Sequence, residues 1–164
     1  MDEFENLISQ IQQRSPETNL VFAGPQQEES IAVLENAVGI IMPPSYRAFL
    51  ENYGALLRSS FYIGGIYNNF PLAEGSGQVY YDTARARAEL DIARPYLVIR
   101  YGDDPDEIVC LDSSQSDSTG EYPVVGYDSQ YNDVWPIANN FNEYFRQYLQ
   151  DSLGNARRGA PSSE

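Results

Sequence analysis

The sequence predicts an α+β fold, in which helices and strands occupy separate stretches of the chain. Helix-type patterns come first, strand-type patterns cluster in the middle and late parts, and a further helix closes the chain. A regular alternation of strands and helices would instead have favoured a parallel sheet. The 164 residues, of which 42% are hydrophobic, are enough for one domain with a real core. We expect that domain over residues 1–150 and a mobile, small and polar tail over residues 151–164.

Three amphipathic helices are predicted in the first third of the chain. The first spans Asp2 to Gln13, and the second spans Gln26 to Val38 and ends at Gly39. The third begins at Pro44, because proline suits the first turn of a helix, and it ends at Gly54, where a left-handed cap is expected. Apolar residues recur along it at helical spacing, so this helix should bury one face.

The middle of the chain is predicted to form a strand, a loop and a fourth helix. Leu56 to Tyr67 is rich in β-branched and aromatic residues, and Gly64-Gly65 within it suggests a bulge or bend. A loop over Asn68 to Gly77 and a helix over Gln78 to Leu90 follow.

Short strands bounded by turn residues dominate the later part of the chain. They are predicted over Tyr96–Tyr101, Glu107–Leu111 and Tyr122–Tyr127. Trp135-Pro136-Ile137 then leads into a last helix near Asn140 to Leu149. Trp135 is expected to be a packing anchor.

Charge is the strongest compositional signal. Ten arginines face 24 acidic residues, with no lysine and no histidine, so the net charge is −14. A nucleic-acid-binding protein needs a basic face, and an anionic membrane would repel this chain. We therefore expect no direct nucleic-acid or membrane binding. A basic partner, or good solubility alone, is the interpretation that remains.

Composition also bears on location. No apolar run approaches the roughly 18 residues of a membrane span, and the acidic start Met-Asp-Glu-Phe-Glu is unlike a secretory signal. These features favour a cytoplasmic protein.

Motifs for catalysis are weak. Cys110 is the single cysteine and is expected to be a small buried hydrophobe, since no histidine is present to activate it. Ser45 lacks a G-x-S-x-G frame. Arg85, Arg87 and Arg94 could bind an anion, but their spacing does not bring them together reliably. We expect no enzymatic activity and no cofactor, with a carboxylate enzyme or metal binder as a lesser alternative.

Three groups of residues, in a fixed order, resemble a known family. They are Met42-Pro43-Pro44-Ser45-Tyr46 with Phe49-Leu50 and Tyr53-Gly54; Gly64-Gly65-Ile66; and a block from Leu97-Val98-Ile99 through Gly102-Asp103, Ile108 to Asp112, Gly120-Glu121, Pro123-Val124-Val125 and Asp128 to Phe141, Tyr144-Phe145 and Leu149. Together they resemble the SUKH superfamily, which includes cell-wall-assembly regulators and many bacterial immunity proteins. Met42 stands where leucine is usual.

The resemblance implies a curved, mainly antiparallel sheet packed against N-terminal and C-terminal helices. It also implies a non-enzymatic binding role, most often the neutralisation of a toxin encoded alongside. The family supplies no catalytic motif and no fixed contact residue, so the contact surface must be sought in this chain.

Residues 101–145 are the candidate partner-binding region, because they hold ten acidic residues and no basic one. An acidic surface would suit a basic toxin, such as a nuclease whose own groove attracts phosphate. A solvated sheet rim that keeps the protein soluble is the alternative. The predicted contact residues are Asp103, Asp104, Asp106, Glu107, Asp117, Glu121, Tyr127 and Tyr131.

The densest carboxylate cluster, Asp103 to Glu107, also raises the question of calcium binding. The EF-hand order of ligands is missing, and Asp-Pro favours a polar hairpin turn, so we expect no metal site. The leading prediction is thus a cytoplasmic immunity protein. A regulatory or scaffold domain of the same fold is the alternative.

Overall fold

The computed structural model describes residues 2–14, 20–58, 61–102 and 108–158. The helices of this part of the chain are α1 (Asp2–Arg14), α2 (Glu28–Val38), α3 (Pro44–Asn52), α4 (Val79–Glu89) and α5 (Phe141–Arg158). The strands are β1 (Val21–Phe22), β2 (Leu56–Arg58), β3 (Phe61–Ile63), β4 (Tyr96–Tyr101), β5 (Ile108–Asp112), β6 (Val124–Asp128) and β7 (Asp133–Ala138).

The strands form two antiparallel sheets. One has the order β1-β2-β3, and the other has the order β4-β5-β6-β7. The predicted α+β class is confirmed, with the strands divided between two open sheets. Successive strands of the larger sheet are neighbours in sequence order, as is usual for antiparallel pairing.

The main core is built around aromatic side chains of three helices. Phe4 of α1 lies 4.9 Å from Phe145 of α5, measured between ring centroids, and Phe49 of α3 lies 5.3 Å from the same ring. Tyr46 of α3 is fully buried, and its hydroxyl donates to the carbonyl oxygen of Gly64 at 2.6 Å. The apolar face predicted for α3 is therefore buried, and its phenol is satisfied inside the core.

The first three strands of the four-stranded sheet are buried on both faces. In β4, Leu97 and Ile99 belong to the main core, whereas Val98 between them belongs to a second cluster with Ala86 of α4. This alternation follows from the two-residue period of a strand. Cys110 of β5 lies in the second cluster and is fully buried, as predicted.

The predicted strand over residues 56–67 is wrong in extent. β2 and β3 are separate strands that pair with each other, with Leu56 opposite Ile63. The chain leaves β3 at Gly64, whose N–H donates to the carbonyl oxygen of Ile99 in β4 at 2.6 Å. Gly65 lies so close to Gly54 that a Cβ would overlap the Gly54 carbonyl oxygen. The two glycines thus lie where neighbouring main-chain segments pass too close to admit a side chain.

Two strands and part of a helix were not predicted. β1 has only two residues, and β7 contains Pro136, which demotes a strand pattern but is tolerated at a sheet edge. α5 continues to Arg158, and Leu153 is buried in the main core. Residues 151–158, in the segment where a tail was expected, thus continue α5, and the apolar side chain of Leu153 anchors that turn. Residues 159–164 lie outside the described part.

Candidate partner-binding surface

The end of β4, the start of β5 and the end of β6 lie at the same end of the larger sheet. Tyr101 at the end of β4 pairs with Ile108 at the start of β5, and Ile108 pairs with Tyr127 of β6. The β6–β7 turn begins at the same end, where Asp128 pairs with Asp133. Four predicted contact residues, Asp103, Asp104, Asp106 and Glu107, fall in the β4–β5 connection and lie outside the described residues.

The turn from Asp128 to Asp133, which we call the hairpin tip, is organised by its own side chains. Asp128 Oδ1 accepts hydrogen bonds from the N–H groups of Gln130 at 2.8 Å and Tyr131 at 3.3 Å. Asn132 has a left-handed φ of 53°, which asparagine tolerates better than most residues. Tyr131 is left 75% exposed, and Asp133 is also exposed. The tip therefore presents one large aromatic ring between two carboxylates.

Tyr127 supports the hairpin tip from inside the protein. Its side chain is only 5% exposed, and its hydroxyl donates to Asn132 Oδ1 at 3.0 Å. Burial raises the pKa of the Tyr127 phenol, so it stays protonated and keeps this donor at neutral pH. Of the two tyrosines expected to contact a partner, only Tyr131 has a ring that solvent reaches freely.

Asp117 and Glu121 lie in the β5–β6 connection, which is at the opposite end of the sheet from the hairpin tip. Asp117 Oδ1 accepts from the Thr119 N–H at 2.8 Å and from the Thr119 hydroxyl at 2.7 Å, and these bonds lower the pKa of Asp117. Its carboxylate shapes its own turn. Of the four predicted contact residues that the structure describes, Asp117 and Glu121 thus lie at the opposite end of the sheet from Tyr127 and Tyr131.

Glu121 caps the N-terminus of α3. Its Oε1 accepts from the Ser45 N–H at 2.7 Å, and its Oε2 accepts from the Ser45 hydroxyl at 2.5 Å. Pro43 stands at the N-cap position and has no side chain that can accept these bonds. A carboxylate at a helix N-terminus is also favoured by the helix dipole. Glu121 is thus occupied by a structural role.

Strand β7 forms an exposed edge next to the hairpin tip. Within the described residues it pairs only with β6, and Val134 and Ile137 are 40% and 41% exposed. Pro136 removes one N–H from this edge, which opposes pairing with another strand. Trp135 packs on Gly126, where a Cβ would overlap the indole, so its predicted packing role is confirmed.

The arginines considered as an anion site are held apart by separate partners. Arg85 lies over the Tyr101 ring, 3.8 Å from its centroid. Arg87 instead donates to the carbonyl oxygens of Val38 and Arg94, each at 2.8 Å. These contacts tie α4 to neighbouring segments and engage the two guanidinium groups with different partners.

A buried carboxyl group that the sequence analysis missed lies in α4. Asp82 is fully buried, and its Oδ2 lies 2.8 Å from the Tyr62 hydroxyl and accepts from the Gly77 N–H at 3.2 Å. The Tyr62 hydroxyl also accepts from the Tyr101 N–H at 2.7 Å. Burial raises the pKa of the Asp82 carboxyl group. Burial also raises the pKa of the Tyr62 hydroxyl, well above its usual range. The hydrogen bonds of Asp82 and Tyr62 together link α4, β3 and β4.

Among the described residues we find no assembled site for metal binding or for nucleophilic chemistry at Cys110. No group of three or more acidic, cysteine or histidine side chains there is close enough to hold a metal ion. Burial raises the pKa of the Cys110 thiol well above its usual range, which keeps it from acting as a thiolate. In the same part of the chain, no helix is long and apolar enough to cross a membrane.

A second exposed region was also missed. Phe70, Leu72 and Val33 border an open groove between α2 and the loop after β3. The sequence signal was two large apolar residues, Phe70 and Leu72, inside a segment predicted to be a loop.

Two open antiparallel sheets with an exposed acidic hairpin and five packed helices define an α+β domain of the kind that the SUKH resemblance implies. Residues 4–150 match the family model SUKH_5, described as SMI1-KNR4 cell-wall, so this chain belongs to that family within the SUKH superfamily. Members are often immunity proteins and are generally non-catalytic.

Proposed function

We propose that this protein is an immunity protein, or antitoxin, that binds and neutralises a cognate bacterial toxin. Membership of the SUKH superfamily supports this class of function. The net charge of −14 favours a basic toxin, such as a nuclease domain. In this proposal the protein acts in the cytoplasm, without catalysis or a cofactor, and does not itself bind nucleic acid.

The hairpin tip is the observation that carries the proposal. An exposed tyrosine can cover much area at small entropic cost, and Tyr131 stands on a turn that Asp128 fixes by two main-chain hydrogen bonds. Asp133 adds a second carboxylate at the same turn. Strand β4 ends and strand β5 begins at this end of the sheet, on either side of the acidic residues 103–107 in the sequence. Such a surface is opposite in charge to the cationic groove of a nuclease and therefore complements it.

The test is co-expression with the toxin domain encoded next to this chain. We expect the chain to restore growth that the toxin domain alone abolishes. Purified partners should associate faster at low ionic strength, because complementary charges steer the encounter. Failure to restore growth would contradict the immunity function. An association rate that does not change with salt would contradict the acidic docking surface.

Variants of the hairpin tip distinguish a role in partner contact from a role in solubility alone. We expect Tyr131→Ser to increase the dissociation rate, and Asp128→Asn with Asp133→Asn to slow association. Asparagine keeps an oxygen that can accept the turn's hydrogen bonds. The matched control is Glu5→Gln with Glu51→Gln, which removes the same charge from exposed positions on α1 and α3. Equal effects of both charge pairs would indicate that only net charge matters.

A regulatory or scaffold domain is the alternative, favoured by the cell-wall description of the matching family. In that case the binding surface would serve a partner in growth or wall assembly. Gene neighbourhood distinguishes the two functions, because an adjacent gene for a large secreted toxin supports immunity, whereas a solitary gene among housekeeping genes supports a scaffold.

A further inference from the structure

An apolar groove lies between α2 and the loop of residues 69–73. Its volume is about 540 Å³, which falls within the roughly 300–1,000 Å³ of typical ligand pockets. Three large apolar side chains line it, and Val33, Phe70 and Leu72 are 44%, 66% and 45% exposed. Scattered apolar residues are normal on a protein surface, but a contiguous group around a groove is typical of an interaction site.

The loop that presents Phe70 is held in a strained conformation. Asn68 and Asn69 both have left-handed φ values, 53° and 56°, and such residues persist where their surroundings hold them. Asn69 Oδ1 accepts from the Gln27 N–H at 2.7 Å, and the Asn69 N–H donates to Gln26 Oε1 at 2.7 Å. These bonds fix the loop to the start of α2. Phe70 is therefore pre-positioned, which lowers the entropy lost on binding.

The charges around the groove are acidic. Glu29 is the only ionisable residue among its described lining residues, and exposed Glu28 and Glu74 are sequence neighbours of that lining. A second copy of this chain would bring two acidic rims together. The chain segments outside the described residues also fit poorly, since 15–19, 59–60, 103–107 and 159–164 contain no large apolar side chain and Met1 is a single residue. A partner of opposite charge is the occupant that these observations favour.

We propose that this groove docks a segment of a partner protein in which a large apolar side chain is flanked by lysine or arginine. The apolar side chain packs among Val33, Phe70 and Leu72, and the flanking cation pairs with Glu29. The groove is separate from the hairpin tip, and the proposal does not depend on the partner being a toxin.

A random dodecapeptide library displayed on phage, selected against the full chain, is the probe that tests this chemistry. We expect the enriched peptides to carry a leucine, isoleucine, phenylalanine or tryptophan beside one or more lysines or arginines. An enriched peptide is then synthesised and labelled, and its affinity is measured by fluorescence anisotropy at low and moderate salt. Binding should weaken as salt increases.

Four variants assign the binding to the groove. Phe70→Ser should weaken the peptide by about tenfold or more, as loss of a central apolar contact does. Glu29→Gln should weaken it by about two- to fivefold, in the range of an exposed ion pair. Ile41→Ser and Glu51→Gln are the matched controls, because both change exposed residues outside the groove lining and should leave affinity unchanged. Circular dichroism of each variant checks that it is folded.

Three results would overturn the proposal. The first is a selection that enriches no peptide dependent on Phe70, and the second is enrichment of apolar peptides without cations. The third is sedimentation showing a dimer that Phe70→Ser dissociates, which would assign the groove to a second copy. Toxin neutralisation is measured independently with the hairpin-tip variants, so either proposal can fail while the other stands.

Discussion

Glu121 shows how a residue can suit a surface role by type and yet be used inside the fold. Its carboxylate satisfies the Ser45 N–H and hydroxyl, which lie 76 residues earlier in the sequence. Sequence reasoning could place Pro44 at the start of α3, because that preference is local. It could not identify the capping group, because the cap comes from a distant loop.

Glu121→Ala should lower the free energy of unfolding by about 1 kcal/mol, the usual cost of losing a helix N-cap. Glu121→Gln should cost less, since an amide oxygen can still accept one bond. Urea denaturation followed by circular dichroism measures both. Glu51→Ala, at an exposed position of the same helix, is the control. A loss no larger than that of the control would show that the cap contributes nothing.

Asp82 predicts a specific pH dependence of stability. Burial raises its folded-state pKa above the ordinary value of 3.8, so the folded state holds this proton more tightly than the unfolded state. This contribution is complete below the ordinary pKa and is lost as the pH rises through the folded-state pKa. Asp82→Asn lacks it, so the Tm of this variant relative to the native chain should increase as the pH rises from 3.8 toward neutrality.

Thermal melts across this pH range test the prediction for Asp82. Asp151→Asn is the control, because it removes a carboxylate at an exposed position. Its Tm difference from the native chain should change less with pH. A constant Tm difference between Asp82→Asn and the native chain would show that Asp82 titrates alike in both states.

At the scale of elements, the Gly64-Gly65 pair is the clearest case of a sequence pattern whose physical reason is visible only in the fold. A glycine pair inside a strand pattern indicates a bulge or a close approach of main chains. In the structure, Gly65 pairs with the segment at the start of α4: its N–H donates to the Gly77 carbonyl oxygen and its carbonyl oxygen accepts from the Val79 N–H, each at 3.0 Å. The approach of Gly54 then excludes a side chain.

Gly65→Ala should destabilise the protein strongly, by about 2 kcal/mol or more, because main-chain atoms must move to admit the methyl group. Gly154→Ala is the matched control. It lies in α5 with no atom within 4 Å of the added Cβ, and alanine should stabilise the helix by about 0.5–1 kcal/mol. Chemical denaturation compares the two. Similar effects of both substitutions would contradict the close crossing at Gly65.

The missed elements share a physical cause. β1 is short, β7 contains a proline, and the last turns of α5 include Gly154, so local preference alone favours other structures there. Tertiary contacts override that preference. β1 pairs with β2, β7 pairs with β6, and Leu153 is buried in the main core.

At the scale of the whole molecule, the net charge of −14 should destabilise the folded state by self-repulsion. Raising NaCl from about 0.01 M to 0.1 M shortens the screening length from about 30 Å to about 10 Å. We therefore expect Tm to rise by a few degrees. For a chain of this size, each kcal/mol gained in the free energy of unfolding raises Tm by about 2–4 °C. Calorimetry measures it, and KCl should act like NaCl. A Tm that does not rise would show that the acidic residues do not repel one another appreciably.

The sequence by itself determined the α+β class, most helices, the central strands of the larger sheet and the superfamily resemblance, because these follow from local periodicity and ordered motifs. It also determined the strongly negative net charge, since net charge is set by composition. Only the tertiary structure decided which acidic and aromatic residues are exposed. It places Glu121 on a helix end, buries Tyr127, and leaves Tyr131 and Phe70 in solvent. Burial and hydrogen-bond partners depend on residues far apart in sequence, which no local pattern records.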